Sequence, residues 1–275
     1  MGYKHIKTNI QIESMDNDLK NRLWNALNVV YLEKIQGEIS GLYIREPIDR
    51  LFIAKIWDFL KKPIDEIDSY YWYKTHDLLH DYFFGFRWFE VYDFIEFIAN
   101  MHYDKEIDQD FMKKCNSILE NEQSAYRFVG GLITQITSKE EISEIEEALS
   151  TPFTPVYTHL STALTLLSRR ESPDYRNSIK ESISAVESLC NLITGKQNTP
   201  LGQCLRKIEE KIPVHGALKE AFRSLYGYTS SAEGIRHALL DEATLESEDA
   251  KFMLVSCSAF INYLKVKSSK AGITF

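Results

Sequence analysis

The chain has 275 residues and lacks most of the features that would set it apart from ordinary globular proteins. No apolar run approaches the roughly 18 residues of a spanning helix. The opening Met-Gly-Tyr-Lys-His has no apolar signal-peptide core, so a cytoplasmic protein without membrane contact is expected. Cysteine is scarce: Cys115, Cys190, Cys204 and Cys257 lie far apart with no Cys-x-x-Cys pair. That spacing argues against a zinc site or a disulfide framework and leaves them as small buried hydrophobes. Internal repeats and low-complexity segments are missing too. Positive charge is in short supply, and a net charge of −8 excludes a general basic nucleic-acid binder.

What is present fits a soluble helical protein. Hydrophobic residues make up 44% and charged residues 26%, which excludes disorder. This length suits two domains of ordinary size. The charge is uneven: residues 1–150 hold 17 Lys+Arg against 27 Asp+Glu, whereas residues 151–275 hold 15 against 13. A site facing RNA, with its dense phosphate charge, therefore belongs in the second part.

In the first part, Asp16 or Asn17 caps a predicted helix running to about Gln36, with Leu19, Leu23, Trp24, Leu27, Val30 and Tyr31 on its buried stripe. Pro47 opens a second helix, with a stripe of Ile48, Leu51, Phe52, Lys55, Ile56 and Phe59, that stops at Lys-Lys-Pro. Residues 69–104 are crowded with aromatics in two helices broken near Gly85. At that density the rings read as core, with a base-stacking surface as the alternative. His76 and His80 stand at i,i+4 and resemble two metal ligands, but no third ligand is identifiable. A helix from Asp108 to about Glu122 precedes a β-hairpin that turns at Gly130-Gly131. Ser138 with Glu141 then forms a capping box for a helix ending near Ser150, and Pro152 and Pro155 mark the expected domain boundary.

Residues 12–25, the aromatic helix pair, and Ser-Ala-Tyr-Arg-Phe-Val at 124–129 resemble the N-terminal module of AbiJ-type abortive-infection proteins. The resemblance covers most of residues 1–150. It implies a sensing or regulatory module in phage defence, answering a phage-derived or host trigger.

The second part reads as a four- to five-helix bundle. Its predicted helices cover Pro155–Arg169, a segment opened by Pro173 and ended by Gly195, residues 199–211, Gly216 to about Tyr226, and Ser247–Lys267. Tyr175, Ile179, Ile183, Val186, Leu189, Cys190 and Ile193 face the core of the second of these, and Glu187 lies beside that stripe. The last helix has a broad stripe including Phe252, Leu254, Cys257, Phe260 and Leu264. The fold class is mainly α.

Residues 174–190 and Leu-Tyr-Gly-Tyr-Thr-Ser-Ser-Ala-Glu-Gly-Ile-Arg-His-Ala at 225–238 resemble the HEPN domain, a helical bundle found in RNase toxins. The family implies a metal-independent endoribonuclease with no cofactor, dimeric through this domain, with RNA such as tRNA as substrate. Its catalytic pattern is an Arg, four to six intervening residues, and a His. His237 takes the place of the family histidine, but the positions that would hold the arginine are Ala232, Ser231 and Ser230. Arg236, directly before the histidine, is placed in the site by its chemistry rather than by the family spacing.

The stretch from Arg223 to Glu242 thus becomes the candidate site, read as a small-residue loop between two helices. Cleavage through the 2′-hydroxyl needs a base and an acid near neutral pH and a cation for the charge on phosphate. Histidine suits proton transfer, and the planar guanidinium of Arg suits phosphate. Neighbouring residues on a helix point about 100° apart, so Arg236 and His237 converge only at a distorted first turn or across a subunit seam. Gly234 permits that distortion, and Tyr228, Thr229 and Ser230 are the expected substrate-binding donors. Two other readings remain: a catalytically silent module that binds RNA, a nucleotide or a defence protein, and a metal-dependent enzyme centred on His76 and His80.

Overall fold

The computed structural model describes residues 10–35, 47–68, 71–197, 209–210, 214–230 and 245–273. It is mainly helical, with one two-stranded antiparallel hairpin among the described residues. The chain divides into two compact units, Met1–Thr137 and Ser138–Phe275.

In the first unit, α1 (Asn17–Leu27) starts where the Asp16 side chain accepts the Leu19 N–H. It runs into a π-helical segment, Asn28–Leu32, and a short α2 (Glu33–Ile35). Residues 36–46, and with them the expected helix end at Gln36, lie outside the described residues. Pro47 begins α3 (Pro47–Phe59). Its buried face is Phe52, Ile53, Ile56 and Trp57, while Ile48 and Leu51 are exposed. The stripe predicted from spacing is thus rotated, because the two large rings Phe52 and Trp57 seek the core.

The aromatic pair is α4 (Trp72–Gly85) and α5 (Trp88–Ala99). Trp72, Phe83, Tyr92 and Phe94 are buried, so most of this density is core, as expected; Tyr71 and Tyr73 are exposed. Lys20 of α1 donates to the carbonyls of Phe84 (2.8 Å) and Phe86 (2.7 Å), satisfying the end of α4.

Next comes α6 (Lys105–Asn121), capped by Asp104, which accepts the N–H groups of Glu106 and Ile107. The hairpin strands are β1 (Arg127–Val129) and β2 (Leu132–Thr134), in the register Phe128 opposite Ile133. Gly130 and Gly131 have φ of 55° and 89°, the positive values a primed turn requires. Asn116 of α6 pairs with β1, accepting the Phe128 N–H (2.7 Å) and donating to its carbonyl (3.0 Å).

The second unit begins with α7 (Lys139–Leu149), where the Ser138 hydroxyl accepts the Glu141 N–H. This helix packs on the helices of the second unit. Antiparallel α8 (Thr154–Ser168) and α9 (Tyr175–Thr194) form its centre. Ser178 donates to the Ala163 carbonyl (2.8 Å) across that seam. Gly195, at φ 65°, ends α9 in the left-handed conformation. The predicted helix over 199–211 falls outside the described residues, apart from Glu209 and Glu210. α10 (Gly216–Ser230) and α11 (Ser247–Lys270) complete the described part, and Phe222 stacks on Phe260 between them. Phe252, expected on the core stripe of α11, is 57% exposed instead. No helix among the described residues is long and apolar enough to cross a membrane.

Candidate functional site

The stretch chosen from the sequence divides in two. Arg223–Ser230 belong to α10, so the helix runs beyond the expected end near Tyr226. A glycine inside a helix costs only about 1 kcal/mol relative to alanine, too little for Gly227 alone to stop it. Tyr228, Thr229 and Ser230 thus lie within α10. Arg236 and His237 lie outside the described residues, together with Ala232, Ser231 and Gly234.

Within the described part of the second unit, two proton-handling side chains meet across the α8–α9 seam. His159 Nδ1 lies 2.6 Å from Glu181 Oε2, and both side chains are half-buried. A carboxylate on Nδ1–H fixes the tautomer that leaves Nε2 as a proton acceptor. Sequence reasoning missed this pair. Its members are separated by 22 residues on different helices, so no local spacing signals it. Glu187, expected beside the apolar stripe of α9, is half-buried there.

The cysteines are poor nucleophile candidates. Cys115, Cys190 and Cys257 are buried free thiols. Burial pushes the Cys115 thiol up, and pushes that of Cys257 up to about 12, so neither ionises near neutral pH. Cys204 lies outside the described residues.

In the first unit, His76 and His80 both set their rings against Trp24, with centroids 5.5 and 5.2 Å away. His76 Nε2 is engaged by Asn28 Oδ1 at 2.9 Å, which the π-helical segment presents. His80 Nδ1 lies 3.4 Å from its neighbour Asp81. No group of three or more His, Cys, Asp or Glu able to hold a metal occurs among the described residues. The pair works here as part of an aromatic corner.

That unit also has an open cleft of about 500 Å³ lined by Phe59, Asp93, Glu96, Phe97, Asn100 and Leu132. Phe59 and Phe97 stack at 4.3 Å. Glu96 accepts the Ile133 N–H at 2.5 Å and Asn100 donates to the Gly131 carbonyl at 2.8 Å, so the hairpin is bonded to α5 beside the cleft. Its size suits a small ligand or a side chain.

The family model of AbiJ N-terminal domain 4 matches residues 1–151. Comparisons with curated proteins and with solved structures gave no match.

Proposed function

The chain belongs to the AbiJ N-terminal domain 4 family, which points to a component of an abortive-infection system, and we propose that its second unit is the effector, cleaving RNA without metal. In this reading His237 transfers the proton and Arg236 neutralises the phosphate, with hydroxyls of Tyr228, Thr229 and Ser230 binding substrate and two copies of the unit forming the site. The first unit restrains the second until a phage-derived or host trigger arrives. What supports this reading is the resemblance of residues 225–238 to the HEPN stretch, with His237 in place of the family histidine and a guanidinium beside it in sequence. The second unit's helical architecture is consistent with that assignment.

Purified protein is expected to cut total RNA or tRNA in the absence of divalent metal. His237→Ala should reduce the rate by ~10²–10⁴-fold, the usual worth of positioned proton transfer, and relieve toxicity on expression. Intact RNA with wild-type protein, or equal cutting by the variant, rejects the reading.

A second reading is favoured by one specific observation: Ala232, Ser231 and Ser230 occupy the positions of the family arginine. A silent module would bind RNA, a nucleotide or a defence protein. In that case Arg236→Ala weakens RNA binding while no cleavage product forms with either protein.

A further inference from the structure

The family match and the packing divide the chain at different places. The matched domain runs to residue 151, whereas the first compact unit ends at Thr137. Between these points lies α7, which closes the family domain in sequence yet packs on α11 and α8 of the second unit.

Its attachment is unusually polar. Asn262 of α11 donates to the Glu144 carbonyl (3.0 Å) and to Glu144 Oε2 (2.9 Å). Lys265 donates to the Glu147 carbonyl at 3.2 Å, and Lys251 Nζ lies 3.7 Å from Glu141 Oε2. Of the 11 residues of α7 only Ile145 and Ala148 are buried, whereas α9 buries nine of its 20. On α11, Asn262 Oδ1 at this seam and Ser258 Oγ are buried without a hydrogen-bond partner. An unsatisfied buried polar atom opposes the docked state, and undocking hydrates it.

Charge adds a second line of argument. α7 carries Glu140, Glu141, Glu144, Glu146 and Glu147 against Lys139 alone, and Glu141 lies against a lysine of α11. The acidic side chains of α11 cluster at its start, where Glu246 and Asp249 form a capping box. Lys251 and Lys265 share the row with Ser258 and Asn262. An acidic helix therefore occupies a row of lysines and hydrogen-bonding groups of the kind that binds phosphates.

We propose that α7 is a releasable acidic strap. Docked, it covers the Lys251–Asn262–Lys265 face of α11. Released by a trigger bound to the first unit, it uncovers that face for the phosphates of RNA. The RNA step rests on the reading of the second unit as an RNA effector; the release of α7 does not.

Hydrogen exchange on the full chain tests the release directly. The α7 amides are expected to exchange about tenfold or more faster than those of α9, as a cooperative opening of one element requires. Equal protection of the two helices overturns the proposal. The covering is tested in a His237→Ala background, by anisotropy of a labelled single-stranded RNA oligonucleotide at low salt. Glu141→Ala with Glu144→Ala removes two carboxylates facing α11, and Glu140→Ala with Glu146→Ala removes two exposed ones, so the charge change is matched. The first pair is expected to tighten RNA binding about tenfold more than the second, since charged contacts released at a docking seam count for more than exposed charge. Equal effects overturn the covering. Adding Lys251→Gln and Lys265→Gln to the first pair should abolish its gain, and a retained gain likewise overturns it. Failure of RNA cleavage by wild-type protein bears on the proposed function and leaves the exchange result standing.

Discussion

At the scale of single residues, the buried Tyr31–Asp108 pair carries a pH signature. The Tyr31 hydroxyl donates to Asp108 Oδ1 at 2.7 Å, and Asp108 is 4% exposed. Burial raises the Asp108 carboxyl above its ordinary value of 3.8, more than the Tyr31 hydrogen bond lowers it. The folded state therefore holds this proton to a higher pH than the unfolded chain. The stabilisation is complete below the ordinary value and is lost as pH rises through the folded value. Asp108→Asn keeps an acceptor for Tyr31 and cannot ionise, so its urea stability should decline less than that of wild type from about pH 4 to 7. Parallel pH profiles would refute this. Gly131 gives a second prediction. Its φ is 89°, and a Cβ would sit 3.0 Å from Asn100 Oδ1, so Gly131→Ala should cost about 1–3 kcal/mol in chemical denaturation.

These residues also show which signals a sequence transmits. The Asp16 and Ser138 caps, the Gly130-Gly131 turn and the Gly195 stop act on groups within a few residues, and each was legible. The Asp108 carboxylate and the His159–Glu181 pair depend on partners brought by tertiary packing, and neither was. Of the catalytic candidates, His237 came from a family pattern and Arg236 from its chemistry beside that histidine, and both positions lie outside the described residues.

At the scale of elements, helix existence was legible from periodicity, but helix faces and ends were less so. In α3 the buried side includes Trp57 and leaves out Ile48 and Leu51. In the chain after α1, the switch to π-helical bonding at Asn28–Leu32 left no local mark, although it places Asn28 against His76. Ends defined by a strong cap should respond as caps do. Asp104 holds two first-turn N–H groups of α6, so Asp104→Ala should cost about 1 kcal/mol by equilibrium unfolding. At the α8–α9 seam, Ser178 is fully buried and its hydroxyl bonds to Ala163. Ser178→Ala should cost about 1 kcal/mol, and Ser178→Leu about 1–3 kcal/mol through overpacking. A stable Leu variant would show that the seam has spare volume.

At the scale of the whole molecule, the cut between units matters most. A fragment of residues 138–275 retains α7 on α11, whereas one of residues 152–275 bares Asn262 and the surfaces packed on Ile145 and Ala148. The shorter fragment should melt at a lower temperature by circular dichroism and bind a hydrophobic dye; identical melting would mean that α7 contributes nothing to the second unit. The charge asymmetry was legible in composition, but the packing of α7 on α11 was not. The prolines at 152 and 155 mark a turn in the chain, and the allegiance of α7 is decided by side chains such as Asn262, more than a hundred residues away. One further property of this division is optical. All four tryptophans, Trp24, Trp57, Trp72 and Trp88, fall in the first unit. Tryptophan emission therefore follows that unit while the second stays dark, so comparing emission with circular dichroism separates their unfolding without a label or a mutation.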